Sequence, residues 1–149
     1  MSYQQLKKRT EGFTIIEVLI VLAIAGLILL IVFLAVPALQ RNSRNTQARN
    51  EAANILGAVS EFASNNNGKL PAASDNTTVL ASSNVKNVTT LTIEAESGST
   101  TPTASVAVLR IGAKCDASNT GTDPGAGRQV ALLFQIENNS GSVTTCTSS

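Results

Sequence analysis

Phe13 to Val36 read FTIIEVLIVLAIAGLILLIVFLAV, and only Thr14 and Glu17 carry polar side chains. As a helix this run would extend about 36 Å at 1.5 Å per residue, enough to cross a bilayer core of ~30 Å. It is preceded by MSYQQLKKRTEG, a short stretch made basic by Lys7, Lys8 and Arg9. A secretory signal peptide would have a shorter apolar core with a small-residue cleavage site after it. A plain signal anchor stays open as a reading. Basic residues also follow the run, at Arg41, Arg44 and Arg49, so the positive-inside rule does not decide its orientation. Cysteine usage and the polar second half favour a C-terminus outside the membrane.

An ionised carboxylate within a bilayer costs at least a few kcal/mol, so Glu17 calls for a partner or a purpose. The plainer alternative is that it lies close enough to the interface to reach water. A second feature coincides with it. The string Lys8-Arg9-Thr10-Glu11-Gly12-Phe13-Thr14-Ile15-Ile16-Glu17-Val18-Leu19 resembles the class III signal of type IV prepilins and pseudopilins. In that family a basic leader ends in Gly, a membrane peptidase cuts after it, and the new terminal residue, often Phe, is N-methylated. A Glu stands at the fifth mature position. Gly12, Phe13 and Glu17 match in identity and spacing.

The resemblance implies cleavage after Gly12 and a cationic amine on Phe13, free to pair with Glu17 of a neighbouring subunit. In a low-dielectric setting such a pair is favoured over leaving either charge alone, and it would set axial register. Phe13 to Val36 would exchange lipid for other helices in a filament core. The implied partners are further copies of the chain in a helical homopolymer, a prepilin peptidase and methyltransferase, an inner-membrane assembly platform, and membrane lipid before assembly. The family often carries a Pro where Leu34 stands here, and in this chain Pro37 comes slightly later. Gly26 and Pro37 could bracket a stretch that loses helical hydrogen bonds in the filament. Otherwise Gly26 is an ordinary membrane-helix glycine and Pro37 a mild kink.

From Ala38 the pattern stays helical. Gln40 to Asn50 is polar all round, whereas Ala52, Ile55, Leu56, Val59, Phe62 and Ala63 recur at three- and four-residue steps and form one apolar face. Asn65-Asn66-Asn67-Gly68 followed by Pro71 ends the helix, with Gly68 as the cap. An independent short helix over Ala52 to Ala63 would use the same face. Strands follow: Thr90 to Glu96 alternates strictly, Ser105 to Ile111 sets Val106 and Val108 opposite Ala107, Leu109 and Ile111, and Val130 to Ile136 lines up Val130, Leu132, Phe134 and Ile136. Asn138 to Gly141 reads as a turn, with Val143 to Cys146 pairing back.

The expected fold is α+β: a long N-terminal helix packed on a small antiparallel sheet of three or four strands. The expected divisions are a leader at 1–12, a hydrophobic helix at 13–37, an amphipathic continuation at 38–67 and a β-rich head at 68–149. Cys115 and Cys146 fit no metal motif, since two thiols without His do not complete a zinc site. In an exported chain they read as a disulfide, which would stabilise a loop of about 30 residues by roughly 3–4 kcal/mol. In a cytosolic chain they would be two buried thiols.

The chain has no His, which removes the usual general base and the commonest transition-metal ligand. No nucleophile and base are readable at a workable spacing, so no enzyme and no cofactor is expected. Asp116 to Asp123 is rich in oxygen ligands, but the position that should supply a bidentate Glu in an EF-hand loop is Gly127. The loop reads as solvated. Asn76-Thr77-Thr78, Asn87-Val88-Thr89 and Asn138-Asn139-Ser140 match the N-glycosylation pattern, as chance allows in a chain rich in Asn, Ser and Thr. Lys86, Arg110, Lys114 and Arg128 could converge on nucleic acid, but with 3% aromatic residues there is no stacking platform. The net charge of +1 supplies no general pull toward nucleic acid.

Overall fold

The computed structural model describes residues 12–149. The expected leader, including Lys7, Lys8 and Arg9, lies outside the described residues apart from Gly12. The chain divides into two compact units, Met1–Leu39 and Gln40–Ser149.

In the first unit the described residues form the beginning of helix α1, Ile15–Asn65. The helix runs through Pro37, whose ring nitrogen has no hydrogen to donate to the preceding turn. Large apolar side chains from Ile15 to Leu39 are exposed around the whole circumference, Phe33 at 76% and Leu34 at 74%. Among the described residues, α1 is the one helix long and apolar enough to cross a membrane.

The second unit is a head in which the rest of α1 covers a sheet. Ala52, Ile55, Ala58 and Val59 are buried, and Leu56 and Phe62 pack beside them, so the periodic face is the one used. The helix ends in a Schellman turn: the Gly68 N–H donates to the Ala63 carbonyl at 2.7 Å. Asn67 takes the left-handed position (φ 55°), ahead of Gly68 (φ 79°). Asn tolerates that conformation, so the cap is shared by two residues where Gly68 alone was expected.

Next come a 3₁₀ turn, Ala73–Asp75, and helix α2, Asn76–Ser83, in a region expected to hold only strands and loops. Residues 76–83 have too few apolar side chains for periodicity to reveal a helix. One of them, Val79, is fully buried against the core and holds it in place. The strands are β1 Thr90–Ala95, β2 Val106–Ile111, β3 Ala113–Cys115, β4 Thr122–Pro124, β5 Val130–Asn138 and β6 Gly141–Ser148. They form a four-stranded sheet in the order β1-β2-β5-β6 and a separate β3-β4 pair.

The sheet is mixed, which corrects the wholly antiparallel expectation. β1 runs parallel to β2, in register from Thr90↔Val106 to Ala95↔Ile111, while β2-β5 and β5-β6 are antiparallel. Parallel neighbours need a connection that returns along the strand. Residues 96–105 provide it, held by Arg110 Nη2 donating to the Thr100 carbonyl (3.3 Å) and Gln135 Nε2 donating to the Pro102 carbonyl (3.0 Å). A strand's alternation reports which side chains are buried and carries no information on the direction of its neighbour.

Both faces of the sheet are covered. On the α1 face, Leu91, Ile93, Ala107, Leu109, Val130, Leu132 and Phe134 join the helix residues in one core. On the other, Val108, Ala131 and Leu133 meet Ala113 and Cys146 in a second, smaller one. A disulfide joins Cys115 at the end of β3 to Cys146 in β6, with Cα atoms 5.6 Å apart.

Candidate assembly site

Gly12 and Phe13 precede α1 in irregular backbone, and Phe13 is 89% exposed. A peptide bond at this junction is open to a protease, and an amine created there would stand at the start of the helix. Thr14 is the N-cap. Its Oγ1 accepts from the Glu17 N–H (3.3 Å), and a Glu17 carboxylate oxygen accepts from the Thr14 N–H (2.8 Å) and the Thr14 hydroxyl (2.6 Å). This is a capping box, in which each residue satisfies a backbone donor that the helix end leaves free. The spacing Thr14-x-x-Glu17 in the sequence is the signal for this cap, which the sequence reading of Glu17 as a charge in an apolar run does not include. The carboxylate is thus held one residue from Phe13, aimed back at the chain start, where it also meets the positive end of the helix dipole.

Beyond the first turn the segment presents only apolar surface. Gly26 lies mid-helix with open space beside its Cα, a place where a neighbouring helix can approach closely. Pro37 lies inside α1, near the end of the exposed apolar run. The helix is continuous between them.

Within the head, two polar devices tie α1 to the rest, and the sequence alone signalled neither pairing. Arg44 makes a bidentate ion pair with Glu137 at the end of β5 (2.8 and 2.7 Å), and Arg41 donates to the Asn139 side chain (2.7 Å). Asn45 bonds both the N–H and the carbonyl of Glu137, each at 2.7 Å. Through their hydrogen bond, Arg44 is raised above its ordinary value and Glu137 held below the usual carboxylate range. Further along α1, Glu51 is buried at 6% exposure. It accepts from the backbone N–H groups of Lys86, Asn87 and Val88 at 3.1–3.4 Å. Its i+4 spacing to Ile55 puts it on the buried face, a signal present in the sequence; the loop that satisfies it could not be read there.

The other candidates fall on separate elements. Arg110 is ion-paired with Glu94 at 2.9 Å, both half-buried. Lys114 lies in β3, Lys86 beside the Glu51 loop, and Arg128 next to Gly68 at the end of α1. In the oxygen-rich loop, burial pushes the Asp116 carboxyl up. Hydrogen bonds from the Ser118 hydroxyl and from the N–H groups of Thr120, Gly121 and Ser118 outweigh that and leave it below its ordinary value. The loop turns on Asn119 (φ 54°), whose carbonyl accepts from the Cys146 N–H at 2.8 Å. Of the three glycosylation patterns, Asn76 caps its neighbour Thr77 and Asn138 accepts from the Ser140 N–H, whereas Asn87 is exposed in a loop.

No curated protein and no solved structure gives a significant match to the chain. Residues 7–33 match the family model described as the prokaryotic N-terminal methylation motif. That motif is the class III signal of type IV pilins and pseudopilins, and it spans the Gly12–Phe13 junction, the Thr14–Glu17 cap and most of the exposed apolar helix. Over this segment the chain is similar to the N-terminal signal that type IV pilins and pseudopilins share.

Proposed function

We propose that the chain is a structural subunit, the major pilin, of an extracellular type IV pilus. It is made as a single-pass membrane precursor with its C-terminus outside, cleaved after Gly12, methylated on Phe13 and polymerised through the first half of α1. The supporting observation is an apolar helix exposed on every side from Ile15 to Leu39 that carries one carboxylate, in its first turn. Such a surface is stable in lipid or against copies of itself and nowhere in water. Capping by Thr14 keeps the Glu17 carboxylate beside the helix start, where an incoming Phe13 amine can reach it. Gly26 and Pro37 then mark the stretch free to lose helical hydrogen bonds on leaving the membrane. The role is structural, and its partners are lipid, the processing peptidase, the assembly platform and further copies. A pseudopilin of a secretion or DNA-uptake machine uses the same signal, and a surface filament seen by electron microscopy separates the two.

The test is to shear filaments from cells and read the N-terminus of this protein by mass spectrometry. A chain starting at methylated Phe13 in the filament fraction is expected. Glu17→Ala should lower filament yield by at least about tenfold, since the amine then has no carboxylate to meet in a low-dielectric core. A chain that starts at Met1 and stays in membranes would overturn the reading in favour of a plain anchored surface domain.

A further inference from the structure

Past Pro37, α1 carries five charged side chains: Arg41, Arg44, Arg49, Glu51 and Glu61. Three are engaged inside the head, Arg41 with Asn139, Arg44 with Glu137 and Glu51 with the 86–88 loop. Arg49 and Glu61 are both exposed, and neither has a hydrogen bond or ion pair among the described residues.

Their placement around the helix is regular. Each lies six positions from Ile55, which is fully buried at the middle of the sheet-facing stripe. At about 100° per residue, Arg49 stands about 120° to one side of that stripe and Glu61 about 120° to the other. The face between them carries Thr46, Asn50, Ala53, Gly57, Ser60 and Ser64, all exposed, short side chains that permit a close interaxial distance.

Opposite charges on opposite flanks of one face are complementary in a head-to-tail contact and not in a two-fold one. An antiparallel two-fold contact sets the two Arg49 flanks together, and a parallel one leaves Arg49 and Glu61 about 18 Å apart along the axis; a head-to-tail contact sets the positive flank of one copy against the negative flank of the next, and repeats without closing. Parallel helices would bring the two charges level after an axial shift of twelve positions, about 18 Å. We infer that a second copy of this chain packs alongside the exposed face of α1 in this register, with Arg49 of one copy paired to Glu61 of the next. The inference rests on the polymerisation proposed above and adds to it a second contact, in the polar half of the helix.

The experiment compares sheared filaments from cells making the wild type, Arg49→Glu, Glu61→Arg and the doubly reversed chain. Each single reversal, which sets like charges together, should cut filament yield by about fivefold, and the double reversal should restore it. In parallel, Arg49→Cys and Glu61→Cys chains are co-expressed and the filaments oxidised. Mixed 49–61 dimers should exceed 49–49 and 61–61 dimers. If wild-type filaments form but the single reversals match them, or the double reversal fails to recover, or like–like dimers dominate, this pairing is overturned while polymerisation stands. If the wild type forms no filaments, polymerisation itself fails and the pairing with it.

Discussion

The two halves of α1 share one backbone geometry and solve opposite problems. From Ile15 to Leu39 the helix is apolar around its circumference apart from Glu17, with its large side chains exposed. From Gln40 to Asn65 it is amphipathic: one stripe is sealed against the sheet, and the polar groups beside the stripe are matched by Glu137, Asn139 and the 86–88 loop. The first half therefore calls for apolar surroundings on every side, and the second is sealed within the head. Apolar periodicity separates them, since a stripe implies a partner on one side and a full circumference implies partners on every side.

The largest test of that contrast is a pair of truncations measured by unfolding in detergent. Ile55→Ala should destabilise the head by about 4 kcal/mol, near the upper end for a fully buried aliphatic side chain. Leu27→Ala, in the uncovered half, should move the same transition by less than about 0.5 kcal/mol. Equal effects would break the contrast. Removing the disulfide with Cys115→Ser and Cys146→Ser together should cost about 3–4 kcal/mol, again confined to the head, with the exposed helix still partitioning into membranes.

Glu51→Ala should cost about 2–3 kcal/mol, because it leaves three backbone N–H groups of the 86–88 loop without an acceptor. Faster hydrogen exchange at those amides would identify the cause. The smallest effect belongs to Glu137. Its folded carboxyl is held below the ordinary range by the Arg44 hydrogen bond, so the stabilisation is present above the unfolded-state pKa and is lost as pH falls through the folded value. The wild type should unfold slightly later than Glu137→Gln at neutral pH, and the gap should close on acidification. A gap that widened in acid would show that the Arg44–Glu137 pair is not the source.

Much of this is legible in the sequence. The apolar run and its junction at Gly12 and Phe13, the Ala52–Phe62 stripe and the alternation in β1, β2 and β5 all repeat over enough residues to announce themselves. What escaped was short or long-range. Residues 76–83 hold too little apolar periodicity to mark α2, and β3 and β4 have three residues each. The two-stranded pair is tied to β6 through the Cys115–Cys146 bridge, a long-range link that no local pattern records. The Thr14–Glu17 cap was visible as spacing, yet the charge of Glu17 overshadowed it.

By itself the sequence determined which long segment is helix, which stripe of its second half is buried, and that its first half presents apolar surface on every side, because these follow from side-chain polarity at fixed backbone periods. Only the tertiary structure decided that β1 lies parallel to β2, that a strap at 96–105 crosses the far face, and that Arg44, Asn45 and Glu51 find their partners at Glu137 and residues 86–88. Strand direction and hydrogen-bond partnership depend on where the chain returns in space, and local periodicity carries no record of that return.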